Sequence, residues 1–250
     1  MLGHKKGTRI QGDEKEMLQA RRNFLERGWY QPLSDAINKQ VWEHLQEKMD
    51  YDHEMAVVDL GCGEGYYLGR LEANLRQKAT AFNNPMFGLD IAKDAIRMAS
   101  KRHRNIRFLV SDANRNLPFS DGTVACLLNI FSPRNAAEFG RVIHPTGMLL
   151  VVIPNQGHLG ELRQHCQLLQ IEENKSEQLS ASLSKWLLMT ASERLEVPMH
   201  LETQSLLELV KMTPNYWHMS SADWERLESI PALNVTADFQ IMRFKPIQVS

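Results

Sequence analysis

The sequence is poor in cysteine, and its three cysteines stand alone. Cys62, Cys126 and Cys166 form no C-x-x-C pair in a chain of 250 residues. This lack of pairs argues against a disulfide framework and against a zinc knuckle. Isolated thiols are typical of a protein in a reducing compartment. We therefore predict no metal site and a cytoplasmic location.

Long apolar runs and an excess of one charge are also missing. The longest apolar run, Met148 to Ile153, is far too short to span a bilayer, so no membrane partner is expected. The polar first residues lack the apolar core of a secretory signal. A net charge of -1 argues weakly against nucleic acid, because dedicated nucleic-acid binders are usually basic. The N-terminal stretch is a local exception, with basic residues at Lys5, Lys6, Arg9, Lys15, Arg21, Arg22 and Arg27.

Strand and helix patterns alternate along most of the chain. Two helices are predicted within residues 1–50, and five strands separated mainly by helices follow between Met55 and Ile153. This alternation predicts parallel β-α-β units and a doubly wound α/β sheet. Further predictions are a helix from Leu159 to about Leu169, a polar stretch from Glu172 to Ser184, an apolar-rich segment from Leu187 to Leu201, helices near Gln204–Met212 and Ala222–Ser229, and a final strand near Val235–Phe244.

The first strand runs into a glycine-rich turn with the spacing D-x-G-x-G-x-G, formed by Asp59, Gly61, Gly63 and Gly65. Glycines are needed where a backbone turns tightly or lies against a ligand. Parallel α/β sheets bind ligands at the carboxyl ends of their strands, where this turn lies. The turn resembles the first motif of the Rossmann-like, class I methyltransferases that use S-adenosylmethionine. The resemblance implies S-adenosylmethionine as the cofactor. It also implies a mostly parallel sheet of seven strands, in which the last two strands extend the far edge.

Three polar residues fall at the ends of later strands. Asp90 is placed to accept hydrogen bonds from both ribose hydroxyls of such a cofactor. Asp112 is placed to accept a hydrogen bond from the adenine amino group, and Asn129 is expected to lie beside the transferred methyl group. Two simpler readings stay open, in which Asp90 caps the helix that begins at Lys93 and Asp112 holds a turn.

The flanking segments resemble the RlmA (RrmA) family of large-subunit ribosomal RNA guanine-N1 methyltransferases over nearly the whole chain. The matching motifs are Gly12-Asp13-x-x-x-Met17-x-x-Ala20-Arg21-Arg22-x-Phe24-Leu25-x-x-Gly28-x-Tyr30-x-Pro32-Leu33, Asp59-Leu60-Gly61-Cys62-Gly63-Glu64-Gly65-Tyr66-Tyr67, Leu117-Pro118-Phe119-Ser120-Asp121, Ser132-Pro133, Glu138-x-x-Arg141-Val142, Pro154-x-x-x-His158-Leu159-x-Glu161-Leu162 and Met212-Thr213-Pro214-x-x-Trp217.

By this resemblance Tyr30, Gly63, Glu64 and His158 are expected to contact the methyl donor. The implied partner is a hairpin of large-subunit ribosomal RNA, and a homodimer is left open. That family normally carries a zinc ribbon at its N-terminus, for which this sequence has no ligand set, so zinc binding is not predicted. Phe131, Tyr216 and Trp217 are candidates to stack on the target base.

Residues 1–50 are expected to form a helical N-terminal segment, and residues 51–250 a methyltransferase domain with a polar and helical insert around 155–185. The first alternative function is methylation of a small molecule by the same fold. The second is a non-catalytic protein that binds S-adenosylmethionine and RNA. No residue stands out as the acceptor of the guanine N1 proton.

Overall fold

A computed structural model describes residues 14–46, 55–79, 82–166, 168–169 and 173–247. The basic residues Lys5, Lys6 and Arg9 lie outside these ranges. The strands of the described chain are β1 Ala56–Leu60, β2 Met86–Asp90, β3 Arg107–Val110, β4 Val124–Ile130, β5 Ile143–Pro154, β6 Leu187–Glu202 and β7 Ala232–Pro246.

Helices separate most of these strands. They are α1 Lys15–Glu26, α2 Gln31–Gln46, α3 Tyr66–Lys78, α4 Lys93–Arg102, α5 Ala136–Val142, α6 Lys175–Leu183, α7 Thr203–Lys211 and α8 Ser221–Glu228, with 3-10 turns at Leu162–Gln164 and Pro214–His218. Within the described ranges, no helix combines the length and apolar character needed to cross a membrane.

The seven strands form one sheet in the order β3-β2-β1-β4-β5-β7-β6. Strands β1 to β5 pair in parallel, and β7 runs antiparallel to both β5 and β6. The predicted doubly wound, mostly parallel sheet with two closing strands is therefore confirmed. The order reverses between β1 and β4, and such a switch point opens a crevice at the carboxyl ends of the strands.

The sheet carries an apolar core on each face because its strands alternate side chains between the two sides. In β5, Leu150 and Val152 join one core while Leu149 and Val151 join the other. Helices α1, α2 and α7 cover the first core, so the N-terminal and C-terminal parts of the chain pack on the same face. The central parallel strands β1 and β4 are thus buried on both faces, as this kind of sheet requires, whereas the edge strand β3 is largely exposed.

The predicted helix from Leu159 to Leu169 is wrong. The segment forms turns and one 3-10 turn, Leu162–Gln164, and Leu159 has a left-handed φ of 56°. The Glu161 carboxylate accepts hydrogen bonds from the backbone N–H and the hydroxyl of Thr236, at 3.1 and 2.9 Å. This tie to β7 holds the segment against the sheet, and tertiary contact overrides its helical pattern.

The polar stretch from Glu172 to Ser184 contains helix α6, which sequence patterning did not assign. The helix buries only Leu179 and Leu183, and its other side chains are polar or small. A two-residue apolar stripe is too weak to indicate a helix by periodicity. The predicted helical character of the insert thus lies in α6 rather than in the segment before it.

Candidate active site

A cavity of about 680 Å³ opens at the carboxyl ends of β1, β2 and β4. This volume lies within the usual range for a small-molecule site. Eight of the ten residues predicted to bind the cofactor line it: Tyr30, Asp59, Gly61, Gly63, Glu64, Asp90, Asp112 and His158. Gly65 and Asn129 are not among the lining residues.

The glycine-rich turn needs its glycines for two different reasons. Gly61 has φ of 80°, and a Cβ there would lie 2.2 Å from the Ser132 Oγ, so only glycine fits. Gly63 has φ of 55° and also lines the cavity. Gly65 precedes α3 with φ of 87°, and a Cβ would meet His103 and Ala99 at 3.1 and 3.2 Å. Gly65 therefore allows helix packing, whereas Gly61 and Gly63 shape the cavity floor.

Asp90 fixes the turn that surrounds it. Its Oδ2 accepts a hydrogen bond from the Gly63 N–H at 2.9 Å, and its Oδ1 accepts one from the Ala92 N–H at 2.8 Å. Asp90 therefore binds the residue before α4, which agrees with the interpretation that it caps this helix. It also lines the cavity. A carboxylate oxygen accepts more than one hydrogen bond, so these contacts leave capacity for a ligand.

Asp59 and Glu64 are buried acids at the floor of the cavity. Asp59 is 1% exposed, and its Oδ1 has no hydrogen-bond partner among the described residues. Burial, reinforced by the charges of Asp90 and Glu64, raises the pKa of Asp59 to about 8. Burial also raises the pKa of Glu64, against an opposing effect of Arg21, and its Oε1 likewise lacks a partner in the described chain.

Tyr30 and His158 pack around Phe239 of β7. The Tyr30 and Phe239 rings meet edge to face at 5.1 Å, and the His158 ring lies 5.0 Å from Phe239. The His158 Nδ1 accepts a hydrogen bond from the Asp238 N–H at 3.1 Å, which places the ring hydrogen on Nε2. Burial lowers the pKa of His158 to about 4. At neutral pH His158 is therefore a hydrogen-bond donor and not a base.

Asp112 both lines the cavity and organises a turn. Its Oδ1 accepts hydrogen bonds from the backbone N–H and side-chain amide of Asn114, at 2.9 and 3.2 Å. One wall of the cavity, beside β1, β2 and β3, carries the acids Asp59, Glu64, Asp90 and Asp112. We call this wall the acidic side.

The segment that follows β4 builds another part of the cavity with Phe131, Ser132, Pro133 and Arg134. Phe131 has φ of 54°, a strained value for a residue that is not glycine, and its ring is 45% exposed. The buried Asn129 side chain donates a hydrogen bond to the Pro133 carbonyl at 2.9 Å. Asn129 thus holds this segment from inside the protein and does not reach the cavity.

Arg134 makes no hydrogen bond or ion pair within the part of the chain that the structure describes. It is half-buried, and burial lowers the pKa of its guanidinium group. Sequence reasoning missed it, although its place four residues past the end of β4 was the available signal. We call the wall formed by Arg134, Arg163 and Lys175, on the side of β4 and β5, the basic side.

The cover of the cavity joins distant parts of the chain. Arg21 of α1, one of the basic residues of the N-terminal stretch, lines the cavity and donates a hydrogen bond to the Met212 carbonyl at 3.1 Å. Thr213 and Pro214 lie beside it in the wall. The buried Glu208 of α7 accepts hydrogen bonds from Asn23 of α1 and from Arg27, the residue after α1, both at 3.3 Å.

Of the aromatic residues predicted to stack on a base, Phe131 alone is among the residues that line the described cavity. The Tyr216 hydroxyl donates to Glu16 at 3.2 Å, and Trp217 is 48% exposed outside the cavity. The described ranges contain no group of three His, Cys, Asp or Glu side chains arranged to hold a metal.

These residues fit S-adenosylmethionine, which carries positive charge and a nucleoside. The orphaned oxygens of Asp59 and Glu64 suit a cationic ligand, and Gly61 keeps the floor free of a Cβ. Together with the sheet order, they define an S-adenosylmethionine-dependent class I methyltransferase.

Comparisons with known proteins agree with this class. A family model described as a methyltransferase domain matches residues 51–207. A chain from the complex of the Haloferax volcanii Trm112 methyltransferase activator with a methyltransferase has the same fold. Its TM-score is 0.51 at 17% identity, over 96% of this chain and 100% of that one. A geranyl diphosphate methyltransferase crystallised with GPP and sinefungin also has a TM-score of 0.51 at 17% identity, over 85% and 78% of the two chains.

Sequence relatives are more specific. A 23S rRNA (guanine(748)-N(1))-methyltransferase of Streptomyces fradiae is 30% identical over 96% of this chain and 83% of its own length. Candidate 23S rRNA (guanine-N1)-methyltransferases of Micromonospora griseorubida and Bacillus subtilis are 34% and 31% identical, over 94% and 91% of this chain and 81% and 78% of their own. The chain belongs to this family of 23S rRNA (guanine-N1)-methyltransferases, so the resemblance found in the sequence is confirmed.

Proposed function

We propose that this protein transfers a methyl group from S-adenosylmethionine to N1 of a guanine in 23S ribosomal RNA. The supporting observation is a single cavity with two unlike walls in a chain that matches such enzymes over more than nine-tenths of its length. The acidic side suits the cationic donor, and the basic side suits a polyanionic substrate.

The proposal assigns donor contacts to the eight predicted residues that line the cavity, four of which form the acidic side. S-adenosylmethionine supplies a sulfonium methyl group as the electrophile when it is bound. Asp90 would hold the ribose hydroxyls while its hydrogen bonds to Gly63 and Ala92 keep it in place. The Nε2–H of His158 would donate to the donor's carboxylate.

On the basic side, Phe131 would stack on the guanine. Its exposed ring is backed by Phe239 at 5.5 Å, so a base would meet a supported aromatic surface. A guanine in a hairpin must leave its stack to reach this ring, which exposes N1 for reaction. Holding donor and base in one cavity lowers the barrier by orientation.

The proposal also covers organisation and location. We propose residues 1–50 as the N-terminal segment, of which the described part holds α1 and α2, and residues 51–250 as the methyltransferase domain with its insert around 155–185. An RNA hairpin as the immediate substrate, a homodimer and a cytoplasmic location remain predictions. Light scattering of the purified protein measures the oligomeric state.

The test is mass mapping of ribosomal RNA from cells with and without the intact gene. We expect one N1-methylguanine in 23S RNA to disappear with the gene and to return with purified protein and donor in vitro. Methylation of small acceptors in place of RNA would favour the small-molecule alternative. Tight donor binding with unmodified guanine in cells that carry the gene would favour a non-catalytic role.

A further inference from the structure

We propose that the Arg134 guanidinium donates hydrogen bonds to O6 of the target guanine and stabilises the negative charge that develops there as N1 loses its proton. The inference rests on the proposed function and adds a catalytic residue to it. It explains a half-buried cation that lines the cavity with no counter-charge in the described chain.

The surroundings of Arg134 set it apart from other cations of the cavity wall. Arg21 is engaged by the Met212 carbonyl, and the Arg163 guanidinium donates to the Gln156 carbonyl at 3.3 Å. The remaining basic groups of the wall are Lys175 and the neutral His158. The acids of the wall are Asp59, Glu64, Asp90 and Asp112, which belong to the acidic side. Arg134 therefore keeps its donors for a ligand.

The local backbone brings Arg134 and the proposed base platform together. Phe131 and Arg134 stand three residues apart in one short segment, and both line the cavity. The Asn129 amide fixes the Pro133 carbonyl between them. A base stacked on Phe131 would thus present its polar edge to a positioned guanidinium, whose planar fork suits an oxygen acceptor.

The chemistry requires such a group because neutral guanine carries a proton on N1. Methylation forms the N1–CH3 bond, breaks the S–CH3 bond of the donor and releases the N1 proton to water, with S-adenosylhomocysteine as the second product. Removal of the proton delocalises negative charge onto O6. A cation placed at O6 makes N1 more acidic and more nucleophilic without itself taking a proton.

Other groups of the wall fit this task less well. The His158 Nδ1 lone pair is occupied by the Asp238 N–H. Asp59 is buried at the cavity floor, and the Asp90 oxygens hold the glycine turn. Because a cation at O6 favours the deprotonated guanine and water accepts the proton, the reaction needs no side chain as proton acceptor.

The experiment compares wild type, Arg134→Met and Arg134→Lys on the RNA fragment methylated in the first test. Single-turnover rates are measured across pH at saturating donor. We expect Arg134→Met to lower the rate at neutral pH about 100-fold, the usual effect of losing one charge-stabilising donor. We also expect the pH midpoint of the single-turnover rate to rise by one unit or more in Arg134→Met. In Arg134→Lys, part of the rate at neutral pH should be recovered. Replacing the target guanine by inosine, which keeps O6 and N1–H, should leave the effect of Arg134→Met unchanged.

A binding readout is independent of turnover. Affinity of the RNA for the protein saturated with S-adenosylhomocysteine should rise with pH in wild type and stay flat in Arg134→Met. Arg97→Gln is the matched control, because Arg97 is an exposed arginine of α4 paired with Asp94. Thermal melting and donor calorimetry check that each variant is folded and binds donor.

The outcomes separate the two claims. A wild-type protein that makes no N1-methylguanine overturns the proposed function. If the wild type is active and the pH midpoint of the single-turnover rate is the same in Arg134→Met, only the role of Arg134 is overturned. Weaker RNA binding with a smaller salt dependence and an unchanged midpoint would assign Arg134 to a phosphate, which also overturns it.

Discussion

The two sides of the cavity are built in opposite ways. On the acidic side, the backbone is pinned by the hydrogen bonds of Asp90 and by glycines at positive φ. On the basic side, a strained Phe131 exposes its ring and Arg134 has no partner in the described chain. A preformed wall suits a small ligand that is the same in every cycle. A wall with unmatched groups suits a substrate that supplies the missing partners.

The largest expected effect comes from Asp90. Asp90→Ala should lower donor affinity in calorimetry by about 100-fold or more, because each hydrogen bond to a charged group contributes about 1.5–3 kcal/mol. Asp90→Asn keeps one acceptor oxygen and separates ligand contact from loss of the turn. Unchanged donor affinity in a folded Asp90→Ala protein would remove the acidic side as the donor site.

Gly61 and Gly63 offer a comparison within the acidic side. Gly61→Ala places a Cβ 2.2 Å from the Ser132 Oγ, whereas the nearest atom at Gly63 is the Arg21 guanidinium at 3.2 Å. Both changes carry the left-handed penalty of about 1–2 kcal/mol. We expect Gly61→Ala to lower donor affinity about 30-fold and Gly63→Ala less. The double variant Gly61→Ala, Ser132→Gly should regain part of the loss, and equal effects at both glycines would contradict the steric argument.

Phe131 should act on the other side of the comparison. Phe131→Ala removes the proposed stacking surface, and base–aromatic stacking is worth about 1–3 kcal/mol. We expect RNA affinity to fall about tenfold in a filter-binding titration while donor affinity stays the same. Trp217→Ala is the matched control, since this exposed aromatic residue lies outside the cavity. A loss of donor affinity in Phe131→Ala would show that the two sides do not act separately.

The smallest effect concerns pH. Burial raises the pKa of Asp59 to about 8, so the free protein holds a proton there at neutral pH. A bound cation favours the carboxylate, so donor binding releases this proton and affinity rises with pH below about 8. The rise is less than tenfold per pH unit for one proton. Asp59→Asn should flatten it, and calorimetry in buffers of different ionisation enthalpy counts the protons released.

The sequence predicts the acidic side better than the basic side for a physical reason. Local strand and glycine patterns locate Asp59, Gly61 and Asp90, since each lies in or directly after a strand. Arg134 is distinctive only because it has no hydrogen-bond or ion-pair partner among the described residues, and this is a property of the fold that local sequence patterns do not show. For Arg21 the sequence shows only a basic stretch, whereas its place in the wall depends on a hydrogen bond to Met212, 191 residues away.

Some family motifs turn out to be structural. The Glu138 carboxylate accepts a hydrogen bond from the Leu117 N–H at 2.7 Å, and Arg141 donates to Asp121 at 2.8 Å and to the Phe119 carbonyl at 2.8 Å. These contacts join two motifs that match the family but lie outside the cavity. A motif resemblance alone does not separate residues that hold a loop from residues that touch a ligand.

The bond between Arg21 and Met212, and the packing of Tyr30 on Phe239, have a consequence for folding. The cavity is completed only when α1 and the turn after it meet segments that are distant in sequence. A partly folded chain in which only the parallel strands β1 to β5 had paired would lack a finished chamber. Donor binding should therefore report that β7 has joined the sheet.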